Sequence, residues 1–156
     1  MSLQTIGVAV AGLGFGEKVH LPALQANADL SAVALWHPRR ERLDEACDLH
    51  GLRGSDDWNV VLADPAVEAV IIATPPEPRF ELARRALEAG KHVLLEKPVA
   101  LHADQAKELQ RLAIARGRSV AVNYEYRAVP LFMQAKRLLQ AGAVGTPWLV
   151  KLDWLM

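Results

Sequence analysis

Residues 5–16 read Thr5-Ile6-Gly7-Val8-Ala9-Val10-Ala11-Gly12-Leu13-Gly14-Phe15-Gly16. The first seven are apolar and rich in β-formers, and they run straight into glycines. That predicts a buried strand ending in a tight turn. Val19–Ala26 has helical character, so the glycines stand between a strand and a helix. Gly12 lets the chain turn sharply off the strand. Gly14 has no side chain, so an anion can approach its backbone. The helix beyond aims its N-terminal N–H groups and positive dipole end at the same point. This is how a pyrophosphate cradle for a dinucleotide is built, which makes Gly12, Gly14, Phe15 and Gly16 candidate cofactor contacts. The third glycine comes early. A strict G-x-G-x-x-G needs it at position 17, where this chain has Glu17. The close helix–strand contact usually made by that glycine must be managed differently, and Glu17 sets a negative charge near the phosphate unless it turns to solvent.

Outward from the loop, apolar runs alternate with helical stripes. Strands are predicted at Leu30–Trp36, Ala69–Ala73, His92–Leu95 and Ser119–Val122. Between them lie a helix over Arg40–Leu49 closed by Gly51, and a short one over Trp58–Leu62 capped by Asp56 or Asp57. Phe80, Ala83, Ala86 and Leu87 share a helical face ended by Gly90; Ala106, Leu109, Ala113 and Leu112 form the next stripe. Leu131–Leu139 is helical, and Trp148–Leu155 begins a further strand with no helix after it. The alternation implies a doubly wound parallel-sheet Rossmann domain of the α/β class, covered on both faces. Its expected span is residues 1–122. Residues 123–156 then supply a connecting helix and the first strand of an incomplete, truncated C-terminal α/β domain.

Lysine plus arginine equal aspartate plus glutamate at 18 each. This balance gives no electrostatic reason to expect nucleic acid. No stretch is apolar enough to span a membrane, and no signal peptide is expected. Cys47 is the sole cysteine, which leaves no disulfide framework and fits a cytoplasmic setting. The histidines show no metal-ligand spacing. A ribose selector belongs at the end of the second strand, about 20 residues past the loop. The residues there are Trp36, His37, Pro38, Arg39 and Arg40. None is an acid able to accept from a ribose 2′-hydroxyl, whereas Arg39 or Arg40 can pair with a 2′-phosphate. The expectation leans to NADP over NAD. Trp36 is placed either to stack on adenine or to cover the sheet edge.

Four segments in order carry a family likeness: Gly12-Leu13-Gly14-Phe15-Gly16 with Val19-His20-Leu21-Pro22-Ala23-Leu24; Ala73-Thr74-Pro75-Pro76; Glu88-Ala89-Gly90-Lys91-His92-Val93-Leu94-Leu95-Glu96-Lys97-Pro98; and Asn123-Tyr124-Glu125-Tyr126-Arg127. Together they resemble the glucose–fructose oxidoreductase / inositol dehydrogenase (Gfo/Idh/MocA) family. The resemblance implies a two-domain NAD- or NADP-dependent oxidoreductase. Such an enzyme moves hydride to or from a hydroxyl- or carbonyl-bearing carbon of a small molecule, a sugar, cyclitol or related compound. It places Lys97 near nicotinamide and substrate as the catalytic lysine. Thr74 and Pro75 are implied to lie against the nicotinamide ribose; Glu96 and Asn123 are further candidate cofactor contacts, Asn123 approaching the active site with Arg127 from the domain junction. Lys97 follows a strand at its carboxyl end, where its ammonium can polarise a developing alkoxide; the bland reading is a surface lysine salt-bridged to Glu96. The Pro98 peptide bond is a candidate for cis. Two departures stand out. Arg79 occupies a position where the family often has histidine, and His102 replaces the usual Ser or Thr helix cap.

The family's acid–base histidine and aspartate belong to a second domain, so this stretch alone is expected to bind cofactor without efficient turnover. An unpaired strand at Trp148–Leu155 would favour a homo-oligomer. The competing reading is a non-catalytic dinucleotide-binding or sensing module, which has no need of a lysine at position 97.

Overall fold

The computed structural model describes residues 5–153. In the unit that runs through Asn123, six parallel strands form one sheet in the order β3-β2-β1-β4-β5-β6. They are β1 Ile6–Ala11, β2 Leu30–Trp36, β3 Arg53–Ser55, β4 Ala69–Ile72, β5 His92–Glu96 and β6 Val120–Asn123. Helices α1 Leu21–Gln25, α2 Arg40–His50, α3 Trp58–Ala63, α4 Pro76–Glu88 and α5 Ala103–Arg116 connect them.

β1 is hydrogen-bonded on both sides, to β2 and to β4. A central parallel strand is covered on both faces and must therefore be apolar throughout. Val8, Ala9, Val10 and Ala11 are all buried. Because successive side chains point to opposite faces, Val8 and Val10 join one core with Leu21, Leu24, Leu35 and Leu43. Ala9 and Ala11 join the other, with Val70, Ile72, Leu87, Leu95 and Leu109. The chain first builds outward from β1 to β3 and then resumes on the other side with β4. The strand ends at that reversal leave a crevice.

The expected doubly wound sheet is present. β3 was not expected: Arg53-Gly54-Ser55 has no apolar alternation, and it forms only by pairing Ala34–Trp36 of β2. Asp57 is the cap of α3, its carboxylate accepting from the Asn59 N–H at 2.8 Å. At the start of α5, where His102 stands in place of Ser or Thr, Gln105 reaches back and accepts from the N–H groups of Leu101 and His102 at 3.2 and 3.3 Å. His102 and Gln105 thus form the capping box in which a hydroxyl is usual.

The second unit begins at Tyr124. It holds a 3-10 turn, Glu125–Ala128, and helix α6, Pro130–Gln140. The strand expected at Trp148–Leu155 is not formed within its described part, since 147–153 have no regular structure and are exposed. Trp154 and Leu155 lie outside the described residues. A strand exists only where a neighbour takes its N–H and C=O groups, and apolar character cannot supply that neighbour. Among the described residues no helix is long and apolar enough to cross a membrane.

Candidate functional site

At the carboxyl ends of β1, β2 and β4 lies a cleft of about 660 Å³. It is lined by Gly12, Leu13 and Gly14 from the loop after β1, by Trp36, His37, Pro38 and Arg39 after β2, and by Ala73, Thr74, Pro75 and Pro78 after β4. The loop geometry explains its glycines. Gly12 has φ +95°, and an added Cβ would lie 2.8 Å from the Ala73 carbonyl carbon and 2.9 Å from the Thr74 nitrogen. Both its conformation and its surroundings demand glycine. Gly14 is different, because a Cβ there would meet nothing within 4 Å. The protein itself does not require glycine at that point. The bare backbone faces open space in the cleft wall, which suits a pyrophosphate brought close to it.

The early third glycine has a structural answer. Gly16 itself makes the close approach, since a Cβ on it would stand 2.8 Å from Val10 Cγ1. Residues Gly16–His20 form a π-helical turn that runs directly into α1, with Leu21 N–H donating to the Gly16 carbonyl. A π turn is one residue wider than an α turn, which matches the one-residue displacement of the glycine. Glu17 does not face the phosphate side. Its carboxylate takes Arg42 at 2.6 Å and His50 at 3.3 Å, both from α2.

At the end of β2 the two arginines differ. Arg40 is engaged by Asp44 at 2.9 Å, with Asp56 at 3.7 Å. Arg39 lines the cleft, and its guanidinium has no hydrogen-bond or ion-pair partner among the described residues. Its backbone N–H donates to His37 Nδ1 at 3.1 Å, which orders the turn between them. The Trp36 indole is buried, packed edge-on against Trp58 with ring centres 5.6 Å apart, and its N–H donates to the Asp56 carbonyl at 3.1 Å. Its ring therefore belongs to the core at the cleft's edge.

Glu96 ends β5 and is buried. Cross-strand pairing puts Asn123 of β6 beside it. Asn123 Nδ2 donates to Glu96 Oε1 at 2.6 Å, His20 Nε2 lies 2.9 Å from the same oxygen, and the Lys97 N–H donates to Oε2 at 3.3 Å. Burial pushes the carboxyl pKa up, but Asn123, His20 and the Lys97 amide outweigh it and hold Glu96 below its usual range. Phe15 packs edge-on over His20, with centroids 5.4 Å apart. Glu96 and Asn123 thus direct their polar groups at each other and at His20. Lys97 is exposed, and among the described residues its ammonium has no salt bridge, to Glu96 or otherwise. The Lys97–Pro98 peptide bond is cis. Thr74 is buried, its hydroxyl donating to the Pro75 carbonyl at 3.1 Å.

The cleft gathers Gly12, Gly14, Trp36, His37, Arg39, Thr74 and Pro75; Phe15, Gly16, Arg40, Glu96, Lys97 and Asn123 are not part of its lining. One residue of this neighbourhood escaped sequence reasoning. Arg79, in the first turn of α4, is buried, and its guanidinium donates to the carbonyls of Thr74, Glu96 and Pro98. The available signal was its departure from the family pattern, which marked the position without indicating what a cation does there.

This fold and loop define a dinucleotide-binding Rossmann domain. More specifically, the chain belongs to the Gfo/Idh/MocA family: the family model described as an oxidoreductase family with an NAD-binding Rossmann fold matches residues 6–124. An uncharacterized oxidoreductase of Synechocystis, sll0816, is 41% identical over 150 residues, covering 96% of this chain and 40% of that protein. A levoglucosan dehydrogenase of Pseudarthrobacter phenanthrenivorans is 32% identical, covering 92% and 39%. Among solved structures, GenD2 from gentamicin A biosynthesis, in complex with NAD, superposes with a TM-score of 0.87 at 28% identity over 94% of this chain and 42% of its own. KijD10, a 3-ketoreductase from Actinomadura kijaniata in complex with NADP and TDP-benzene, gives 0.83 at 30% identity, covering 89% and 43%. The chain spans about two fifths of the length of the curated relatives it matches.

Proposed function

We propose that this chain is the cofactor-binding part of an NAD(P)-dependent oxidoreductase that acts on a CH–OH or carbonyl carbon of a sugar, cyclitol or related small molecule. The observation that carries this reading is the cleft. One wall is the uncrowded backbone at Gly14, another the unpaired Arg39, a third Thr74 and Pro75. Gly12 and Gly14 hold the pyrophosphate, with Phe15 and Gly16 continuing the loop. Thr74 and Pro75 border the nicotinamide ribose. The bound nicotinamide supplies the carbon that gives or takes hydride. Lys97, at the end of the neighbouring strand and without an ion pair among the described residues, donates a hydrogen bond to the substrate oxygen and stabilises negative charge that develops there. Glu96 and Asn123, locked to each other and to His20, brace the segment that presents Lys97.

Arg39 gives the site its preference for NADP. Arg40 is neutralised by Asp44, whereas Arg39 keeps its donors for a 2′-phosphate. Calorimetric titration with NADPH and NADH tests both points. Tighter NADPH binding is expected, and Arg39→Ala reduces it about tenfold while leaving NADH unchanged. Absence of binding by either dinucleotide at millimolar concentration overturns the function proposed. A dehydrogenase screen on sugars and cyclitols then assigns the substrate.

On its own this stretch binds cofactor with little turnover, because among the described residues no second titratable side chain contacts the Lys97 ammonium. Its single cysteine, half-buried and unpaired, suits a reducing cytoplasm. The exposed apolar run Trp148, Leu149, Val150 and Leu152 supports association into a homo-oligomer by strand pairing, and a monomer by light scattering would contradict this.

A further inference from the structure

Arg79 is a buried cation that no carboxylate touches among the described residues. It sits near the start of α4, where Pro76 occupies the first position. Helical side chains lean toward the N-terminus of their helix, so the guanidinium is carried back to the carboxyl edge of the sheet. There its Nη2 donates to the Thr74 carbonyl, and its Nη1 donates both to the Glu96 carbonyl at 2.7 Å and to the Pro98 carbonyl. The last two carbonyls flank Lys97 on either side in sequence. The first belongs to the turn that borders the cleft. All three lie past the last β4–β5 pair, Ile72 with Leu95: Glu96 is the final residue of β5, and Thr74 and Pro98 belong to the turns beyond.

We infer that Arg79 is a positioning residue: one guanidinium ties the segment on both sides of Lys97 to the Thr74-Pro75 turn and so fixes where the Lys97 ammonium stands relative to the cleft. The inference rests on the reading of Lys97 as the lysine at the hydride site. Two features separate this role from general support of the fold. First, the guanidinium is not fully satisfied: its Nε has no hydrogen-bond partner although buried. Burial also opposes its charge, pulling its pKa down against Glu96 and Glu77. A buried cation in that condition is a poor way to add stability. Second, the register of β4 with β5 is already set by the ladder from Ala69–His92 to Ile72–Leu95. What this ladder leaves unset is the backbone past Ile72 and Leu95, and among the described residues the hydrogen bonds of Arg79 fall there. An imidazole has only two donors and an ammonium directs its three from a single atom, whereas the planar guanidinium fork reaches these carbonyls from two nitrogens held in fixed relation.

Hydrogen–deuterium exchange on the unliganded chain tests the tie without relying on any cofactor. In Arg79→Lys and Arg79→Met, exchange at the Lys97 amide should accelerate at least about tenfold, while the β4 amides of Val70–Ile72 stay within about twofold of wild type. Equal acceleration at both places, no change at Lys97, or failure of both variants to fold overturns the inference, since the residue then supports the whole domain or nothing in particular. If only Arg79→Met fails to fold, Arg79→Lys decides. A second arm compares NADPH with 2′-phospho-ADP-ribose, which lacks nicotinamide. In Arg79→Lys the affinity for the fragment should hold, and the extra affinity conferred by nicotinamide should fall about tenfold. Equal loss for both ligands, or no loss for either, contradicts the positioning role. If the wild-type chain binds neither ligand, the function proposed above fails, and the exchange arm still decides whether Arg79 fixes the Lys97 segment.

Discussion

Gly12 and Gly14 are two residues apart and glycine for opposite reasons. At Gly12 the positive φ and the backbone of Ala73 and Thr74 both exclude a side chain. Gly12→Ala should therefore lower stability by about 1–3 kcal/mol in urea unfolding. At Gly14 the protein leaves room, so Gly14→Ala should unfold like wild type yet bind NADPH at least about tenfold more weakly. A Gly14→Ala chain with unchanged affinity would remove the pyrophosphate from this point. Both glycines were visible in the sequence, because their spacing between a strand and a helix is that of a dinucleotide loop. Glu17 was visible only as a problem. Its partners Arg42 and His50 come from another helix, and no local pattern announces such a meeting. The same holds for Arg79, whose three acceptors are main-chain oxygens without sequence identity.

Among the elements, those with strong apolar periodicity were legible to within a residue or two. β2 spans Leu30–Trp36 as expected, and α2 runs from Arg40 to the His50 that precedes the left-handed Gly51. Elements held by their neighbours were not. β3 exists through β2, the π turn through the packing of Gly16 on Val10, and residues 147–153 show that apolarity alone does not make a strand. Gly16→Ala presses a methyl onto Val10, and should cost about 1–3 kcal/mol by overpacking in the same unfolding assay. Glu96 joins three elements, and its acid response follows from that. Its folded pKa is depressed, so its stabilisation is complete above the unfolded glutamate value of about 4.3 and is lost as pH falls through the folded value. Glu96→Gln should unfold more easily at neutral pH by about 1–3 kcal/mol. The difference from wild type should narrow as the medium is taken below about pH 4. A constant difference across the acid range would mean the charge is not what stabilises.

For the whole molecule, the sheet order places the cleft. Reversal of build direction between β1 and β4 brings loops from β1, β2 and β4 to one edge, and that topology followed from the alternation of strands and helices. A ligand seated there engages both halves of the sheet, so it should act on the global transition. NADPH at about one hundred times its dissociation constant should add about 2.7 kcal/mol to the unfolding free energy. The readout is a concentration-dependent rise in Tm. A Tm indifferent to NADPH would place any binding outside the cooperative core.

The edge-on Trp36–Trp58 pair has an optical consequence. Trp36 borders the cleft while its ring is held rigidly against a second indole. Reduced nicotinamide absorbs where tryptophan emits, so the pair forms a built-in energy donor beside the proposed acceptor. Excitation of the indoles should yield sensitised emission from bound NADPH and none from NADP⁺, and Trp36→Phe should dim it without abolishing binding. The residue pair that closes the core at this edge thus makes the cleft self-reporting, with no label attached.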